Sequence, residues 1–407
     1  MGRPSRTTTY CVLAIAFVVS ASLGAAPKDD PKEPDPAPLF PLEPAWTLTL
    51  DARPAAGGAM DDANVYFPLE TGALQAFARE TGDLVWTAEA PSMWRPALGA
   101  GRVFVADADT IRAVDASTGT EVWQRPLAQP LTAPLTWDSG WLIVATDGGA
   151  LLGVRADDGQ PVWTRDLGST TRQPAAALST GLVVVSLENS TVVALDRGTG
   201  EVRWTRTLAG TLSAPAAAGD RVFVGTTSND FYALDPGTGK ELWHWRVGGD
   251  IVGAAVDGDV VYFASLDNIL RAVNRSNGNQ RWKTEVPTRP ALPPVAFGGV
   301  VLITGVAPRV DGWVGRTGAV MGSHRVLADG GGDDSMLQGA PLVDAPLKPY
   351  QVGMVTLTRA GRVSALRPEM MMMRDPATVP LKELPGRRLE RERLDTASRT
   401  LPPTSVR

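Results

Sequence analysis

Apolar residues along this chain fall in short runs broken by polar turn-formers, not in stripes of helical period. RVFVGTTSNDFYALD (221–235) holds two runs rich in aromatic and β-branched residues, separated by Thr, Ser, Asn and Asp. GDVVYFASLDNILRAVN (258–274) repeats the plan. Runs this short, bounded by turn residues, predict strands rather than helices. They lead into a recurring ten-residue unit: LDPGTGKELW (234–243), VDASTGTEVW (114–123) and LDRGTGEVRW (195–204), with weaker copies FARETGDLVW (77–86), VRADDGQPVW (154–163) and VNRSNGNQRW (273–282). The repeated tryptophans are Trp46, Trp86, Trp123, Trp163, Trp204, Trp243 and Trp282. A period of about 40 residues admits a propeller or a helical array. The strand-like text decides for the propeller, with four strands per period making one blade.

A seventh copy is damaged. GWVGRTGAVMG (312–322) keeps Thr317 and Gly318, but Gly322 stands where tryptophan is due. An eighth unit has strand-like text at 352–358 and 362–367, then loses the motif and lacks a tryptophan strand. Trp46 to Leu50 reads as such a strand with no preceding strands of its own. The expected fold is all-β: an eight-bladed β-propeller of four-stranded antiparallel blades, closed by an N-/C-terminal composite blade. Closure leaves no gap for another chain to invade.

The unit has a local logic. Asp235 can accept backbone N–H groups as Asx-turns do, and Thr238 can add its hydroxyl to the same turn. Gly239 supplies the positive φ that closes the hairpin, as do Gly82, Gly119, Gly159, Gly200 and Gly278 in the other copies. Trp243 follows on the outer strand, where its ring packs against the neighbouring blade. One such ring buries roughly 150–250 Å². At about 25 cal/mol per Å² that is several kcal/mol per blade, an upper bound. Alanine six residues before the glycine (Ala76, Ala113, Ala194, Ala233, Ala272) is expected to leave room where blades converge. Residues repeated round a ring report architecture, whereas a catalytic site needs different residues converging once.

Composition agrees with a turn-rich β protein: 42 glycines and 33 prolines in 407 residues. A formal charge of −5 gives no nucleic-acid footprint. Arg3 and Arg6 precede an apolar run (11–24) that ends in small residues. Residues 1–26 therefore read as a signal peptide, short for a membrane span, with a retained anchor as the other reading. The chain is expected to be exported, periplasmic or extracellular, with no transmembrane domain after cleavage. Its one cysteine, Cys11, opens the apolar run, so no lipidation cysteine follows the signal. The mature chain is expected to have no disulfide and no thiolate site. Residues 27–44 alternate proline with charge and read as a linker, 45–371 as the propeller, and 372–407 as a polar, disordered tail. A monomeric propeller is expected.

The pattern A-x-D-x-x-T-G-x-x-x-W resembles the repeat of the pyrroloquinoline quinone (PQQ) enzymes, and residues 45–371 are similar to PQQ-like β-propellers. That family holds quinone-dependent dehydrogenases and non-catalytic propellers. In size and plan this chain resembles the family's outer-membrane barrel-assembly lipoproteins, which are eight-bladed scaffolds without cofactor. The resemblance implies a non-catalytic scaffold for protein–protein interaction, with unidentified envelope proteins as partners and no catalytic, cofactor or metal residues. The alternative is a quinone- or small-ligand-binding propeller. It would carry PQQ with Ca²⁺, and its relatives hold these with a Glu/Asn/Asp site and an adjacent cysteine pair. This chain has no such pair.

Other chemistry is sparse. His244 and His324, the only histidines, read as surface or packing residues. Asp329, Asp333 and Asp334 in ADGGGDD could chelate a hard cation, but their spacing matches no EF-hand loop, and a glycine-rich insertion is expected. Four methionines at 370–373 read as packing at the ring closure, with soft-metal or apolar-partner binding as the other reading.

In such a ring the motif turns share one face. The opposite face carries the second-to-third-strand turns, with Glu70, Asp107, Asp109, Asp147, Glu188, Asp230 and Asp267. It also carries the blade-to-blade connections, with Trp94, Arg95, Arg172 and Arg289. These four are the candidate partner-binding residues, anchors for an extended peptide or loop. The acidic residues also suit turns in their own right.

Overall fold

A computed structural model describes residues 39–326, 332–343 and 351–369. The expectations for the signal segment, the linker before residue 39, Asp329, the four methionines and the tail beyond 371 lie outside these residues, as does the Asp333 side chain.

Seven blades each take four consecutive strands, ordered from the ring axis outward. Blade 1 begins at Ala59–Met60, blade 2 at Ala97–Gly99, blade 3 at Thr136–Asp138 and blade 4 at Ala176–Ala177. Blades 5, 6 and 7 begin at Ala216–Ala218, Ile251–Asp257 and Val295–Phe297. Blade 8 is composite: Leu342–Val343, Met354–Leu357 and Arg362–Pro368 from the C-terminal part, with Leu42–Thr49 as the outer strand. Trp46 pairs with Ala365 and Thr47 with Ser364 across this seam. The eight-bladed propeller and its composite closure are as the repeat predicts. Among the described residues the only helical turns are Asp147–Gly149 and Gly332–Ser335.

Each sheet is covered on both faces by its neighbours, so the middle strands are apolar without alternation. Val222, Phe223 and Val224 are all fully buried, as are Val261 and Phe263. The core is therefore a ring of inter-blade clusters. One of them joins Phe223 and Phe231 of blade 5 to Val261 and Phe263 of blade 6, with Phe231 and Phe263 stacked at 4.1 Å.

The repeated unit works as a latch. Asp235 Oδ1 accepts the N–H groups of Gly237 (3.1 Å) and Thr238 (2.8 Å) and the Thr238 hydroxyl (2.7 Å). The tryptophan of the preceding blade lies over the turn this builds. Trp204 Nε1 donates to Pro236 O at 2.7 Å, and a Cβ on Gly239 would sit 2.5 Å from its ring. All seven tryptophans make this bond to the next blade; Trp86, for example, donates to Ala116 O at 3.0 Å and Trp282 to Gly315 O at 2.7 Å. Two residues further on, Arg165 donates to Gly200 O at 2.9 Å and Trp245 to Gly278 O at 2.8 Å. This second latch has no signature in the repeated letters.

The motif alanines lie where blades converge, as expected, each in a cluster shared with the next blade, and they also make room for the indole of their own blade. Each pairs across the ladder with that tryptophan, Ala233 with Trp243 and Ala272 with Trp282, and where Gly153 replaces alanine a Cβ would lie 2.1 Å from Trp163. One expectation is corrected. The order begins earlier than Ala45: the outer strand starts at Leu42, and Leu39 (0% exposed) and Phe40 (7%) are buried. Phe40 fills the place of the missing tryptophan. A Cβ on Gly322 would lie 2.5 Å from it, and one on Gly312 would lie 2.4 Å from its ring. Proline and charge hide these apolar residues in a reading by composition.

Candidate functional site

The strand order puts the second-to-third-strand turns and the blade-to-blade connections at one end of the ring, as expected. Backbone bonds tie them together: Ala90 N–H to Gly72 O, Leu167 N–H to Gly149 O and Glu188 N–H to Thr170 O. The loops of this face are thus held to the blades.

Much of its charge is already paired. Glu188 accepts Arg172 Nε at 2.6 Å and also the Thr170 hydroxyl. The Thr170 and Arg172 hydrogen bonds hold its carboxyl below the usual range. Asp230 is buried against Arg246 at 3.3 Å. Burial pushes the Asp267 carboxyl up, but Arg271 at 2.7 Å and Ser265 at 2.6 Å outweigh this and leave it below its ordinary value. Asp109 accepts the Thr110 hydroxyl and Asp147 the Gly148 N–H. The acidic rim is in large part turn chemistry.

The four candidate residues stand in three connections. Trp94 and Arg95 lead into blade 2, Arg172 into blade 4 and Arg289 into blade 7. Trp94 packs its ring on the cluster holding Phe104, Leu131 and Leu135. Arg172 is committed to Glu188. Arg289 is exposed, on another sector of the ring. Arg95 has no hydrogen bond or ion pair among the described residues. It exposes surface, yet the surrounding protein desolvates its guanidinium and lowers its pKa from the ordinary value.

Arg95 lines a cavity of about 350 Å³ with Met60, Leu98, Pro134, Leu135, Trp137 and Pro174. Four blades contribute to it. Sequence reasoning found Arg95 but missed Trp137, because inner-strand register is not visible in the outer-strand motif, and it missed the exposed Met93 (58%) two residues before Arg95.

A second cavity, about 400 Å³, lies where the outer edge of blade 6 meets blade 7, lined by Glu285, Arg309, Asp311 and Trp313. Arg309 is paired with Asp311. His244 stacks on Tyr232 and bonds Glu241 at 3.0 Å, and burial lowers the pKa of the half-buried His324. Asp334 pairs with Arg53 at 3.1 Å. Among the described residues no group of three or more His, Cys, Asp or Glu converges to hold a metal ion. The cavity lined by Arg95 has no carboxylate in its wall. A quinone–calcium centre needs several convergent oxygen donors, so these residues do not fit one. Among the described residues no helix is long and apolar enough to cross a membrane.

A family model described as outer membrane protein assembly factor BamB matches residues 70–214 and 188–366. Outer membrane protein assembly factor BamB of Nitrosomonas eutropha is 26% identical over 183 residues, which are 39% of this chain and 44% of that protein. The match thus spans less than half of that relative's length. Among solved structures, BamB from Moraxella catarrhalis superposes with a TM-score of 0.65 at 17% identity, over 80% of this chain and 99% of that one. A quinohemoprotein alcohol dehydrogenase, ADHIIG from Pseudomonas putida HK5, superposes with a TM-score of 0.61 at 13% identity, over 80% and 76%. At these identities the two structures share the fold with this chain, and the fold hosts both roles.

Proposed function

The chain belongs to the family described as outer membrane protein assembly factor BamB, and on that premise we propose that it is a non-catalytic, exported scaffold that binds protein partners in cell-envelope assembly. The observation that carries this reading is how the residues are used. Motif tryptophans, glycines and aspartates are consumed in joining blades, while the connection face keeps an arginine with no partner among the described residues, lining a largely apolar cavity, and an exposed methionine two residues before it. Interface anchors are typically of this kind, arginine and aromatic or apolar residues at a pocket. The quinone-binding alternative has fold likeness on its side and lacks a fitting donor set.

The test is affinity capture from envelope extracts with the wild-type chain and a Trp94→Ala/Arg95→Ala variant, each checked for an intact melting transition. Wild type should recover barrel-assembly components, and the variant should recover them at least about tenfold less well, the loss expected for two anchors together. Equal recovery removes this face from the proposal. No recovery of envelope components by wild type removes the scaffold role.

A further inference from the structure

One position at the entry to each inner strand, two before the residue in register with the motif alanine, can be compared in every blade. In blade order these residues are Gly57, Arg95, Pro134, Pro174, Ala214, Gly253, Pro293 and Ala340. Seven are glycine, alanine or proline, and one is a cation. The inner-strand residue three positions further on tells the same story: Met60, Leu98, Trp137, Ala177, Ala217, Val256, Ala296 and Val343, with one aromatic. Both exceptions line the same cavity.

Two of its three polar side chains are donors with no acceptor among the described residues. Arg95 brings a guanidinium with no partner among the described residues. Trp137 Nε1 is buried without an acceptor, its ring held against Gly99 of the neighbouring blade, where a Cβ would lie 2.1 Å from it. A buried donor left unmade is costly, and an arginine fork matches a carboxylate in two parallel bonds. The remaining wall is apolar apart from Thr136, whose hydroxyl donates to Ala175 O at 3.1 Å, and it includes three prolines, Pro96, Pro134 and Pro174, which have no N–H. Donors set in an apolar wall select an anionic acceptor on an apolar stem. A volume of about 350 Å³ takes one or two side chains, not a folded element.

We propose that this cavity binds a peptide carboxylate flanked by apolar residues, the Arg95 guanidinium pairing with it and Trp137 and Leu135 packing its stem. The proposal rests on the scaffold reading and names the partner chemistry at the same face. The carboxylate has two possible sources, an acidic side chain within an extended segment or a chain terminus.

The experiment titrates the full-length chain with three labelled octapeptides by fluorescence anisotropy. One is apolar with a free C-terminus, one is the same peptide amidated, and one is amidated with a central glutamate. Binding of either carboxylate peptide, with the amidated apolar peptide at least about tenfold weaker, supports the proposal and identifies the source. Arg95→Gln should abolish that difference, Arg95→Lys should restore part of it, and Trp137→Phe should weaken binding by a smaller factor. Equal binding of all three peptides, or of wild type and Arg95→Gln, overturns it. Binding of free PQQ, read by its own absorbance, with no peptide binding also overturns it, in favour of a small-carboxylate site. The scaffold reading fails separately: wild type would then capture no envelope components, whatever the peptides do.

Discussion

Gly239 has φ +68°, and a Cβ there would press 2.5 Å from the Trp204 ring. Positive φ and the close approach are two separate demands for glycine at one position. Gly239→Ala should therefore cost about 1–3 kcal/mol for the backbone alone, with the clash in addition, read as a lower urea midpoint. Gly219 has φ +45° with open space around its Cβ position, so Gly219→Ala carries the backbone penalty only and should fall well short of it. The turn carboxylates make a second prediction. Asp235 is held below the usual range first by the Thr238 hydroxyl, and Asp115 first by the Ser117 hydroxyl. A carboxyl with a depressed folded pKa gives its full stabilisation above its unfolded value, about 3.9, and loses it as pH falls through the folded value. Asp235→Asn keeps an acceptor oxygen but does not titrate. The gap in melting temperature between wild type and this variant should be largest near neutral pH and should narrow below pH 4. A gap constant with pH would mean that the negative charge adds nothing to the turn.

At the scale of the blade, the outer strand latches onto its neighbour at the tryptophan. Trp204→Ala should cost about 3–5 kcal/mol by loss of packing. Trp204→Phe keeps much of the ring but deletes the bond to Pro236 O, worth about 1 kcal/mol. Amide exchange should quicken most at the junction of blades 4 and 5 in both variants. This latch was legible in the letters, since tryptophan, glycine and aspartate recur at fixed offsets. The inner strands were not. Ala97–Gly99 and Ala176–Ala177 are too short to show a period and hold small residues that also suit loops. That is why Arg95 could be picked out as a charged residue in a connection, while its neighbour Trp137 stayed invisible until register placed both on one wall. The second latch at Arg165 and Trp245 escaped for a related reason: arginine and tryptophan share no composition signal but reach the same carbonyl position. Leu39 and Phe40 were hidden by the proline and charge around them.

For the molecule as a whole the seam decides whether there is a ring. Seven inter-blade junctions use a tryptophan, and the eighth, between Gly322 and the composite blade, uses Phe40 from the start of the described chain. Arg79 of blade 1 donates to Val352 O of the closing blade at 3.2 Å, and within that blade Arg367 pairs with Glu43 of the N-terminal strand at 2.8 Å. Restoring the consensus should therefore harm the protein: Gly322→Trp places an indole where Phe40 already sits. Phe40→Ala should cost about 3–5 kcal/mol, and the pair Phe40→Ala/Gly322→Trp should recover part of that loss, a coupling that a double-mutant cycle measures. Losses that simply add would mean the two side chains do not compete for one space. Deleting residues 1–50 tests the clasp itself. It removes Phe40, Trp46 and the strand Leu42–Thr49, leaving Arg362–Pro368 as a bare edge. An unpaired edge invites another chain, so the truncated protein should self-associate in light scattering and melt earlier and less cooperatively. A synthetic peptide of residues 39–50 should restore both properties in proportion to its concentration. A truncated chain that stays monomeric with the wild-type melting temperature would show that the ring is closed by its other seven blades without the clasp.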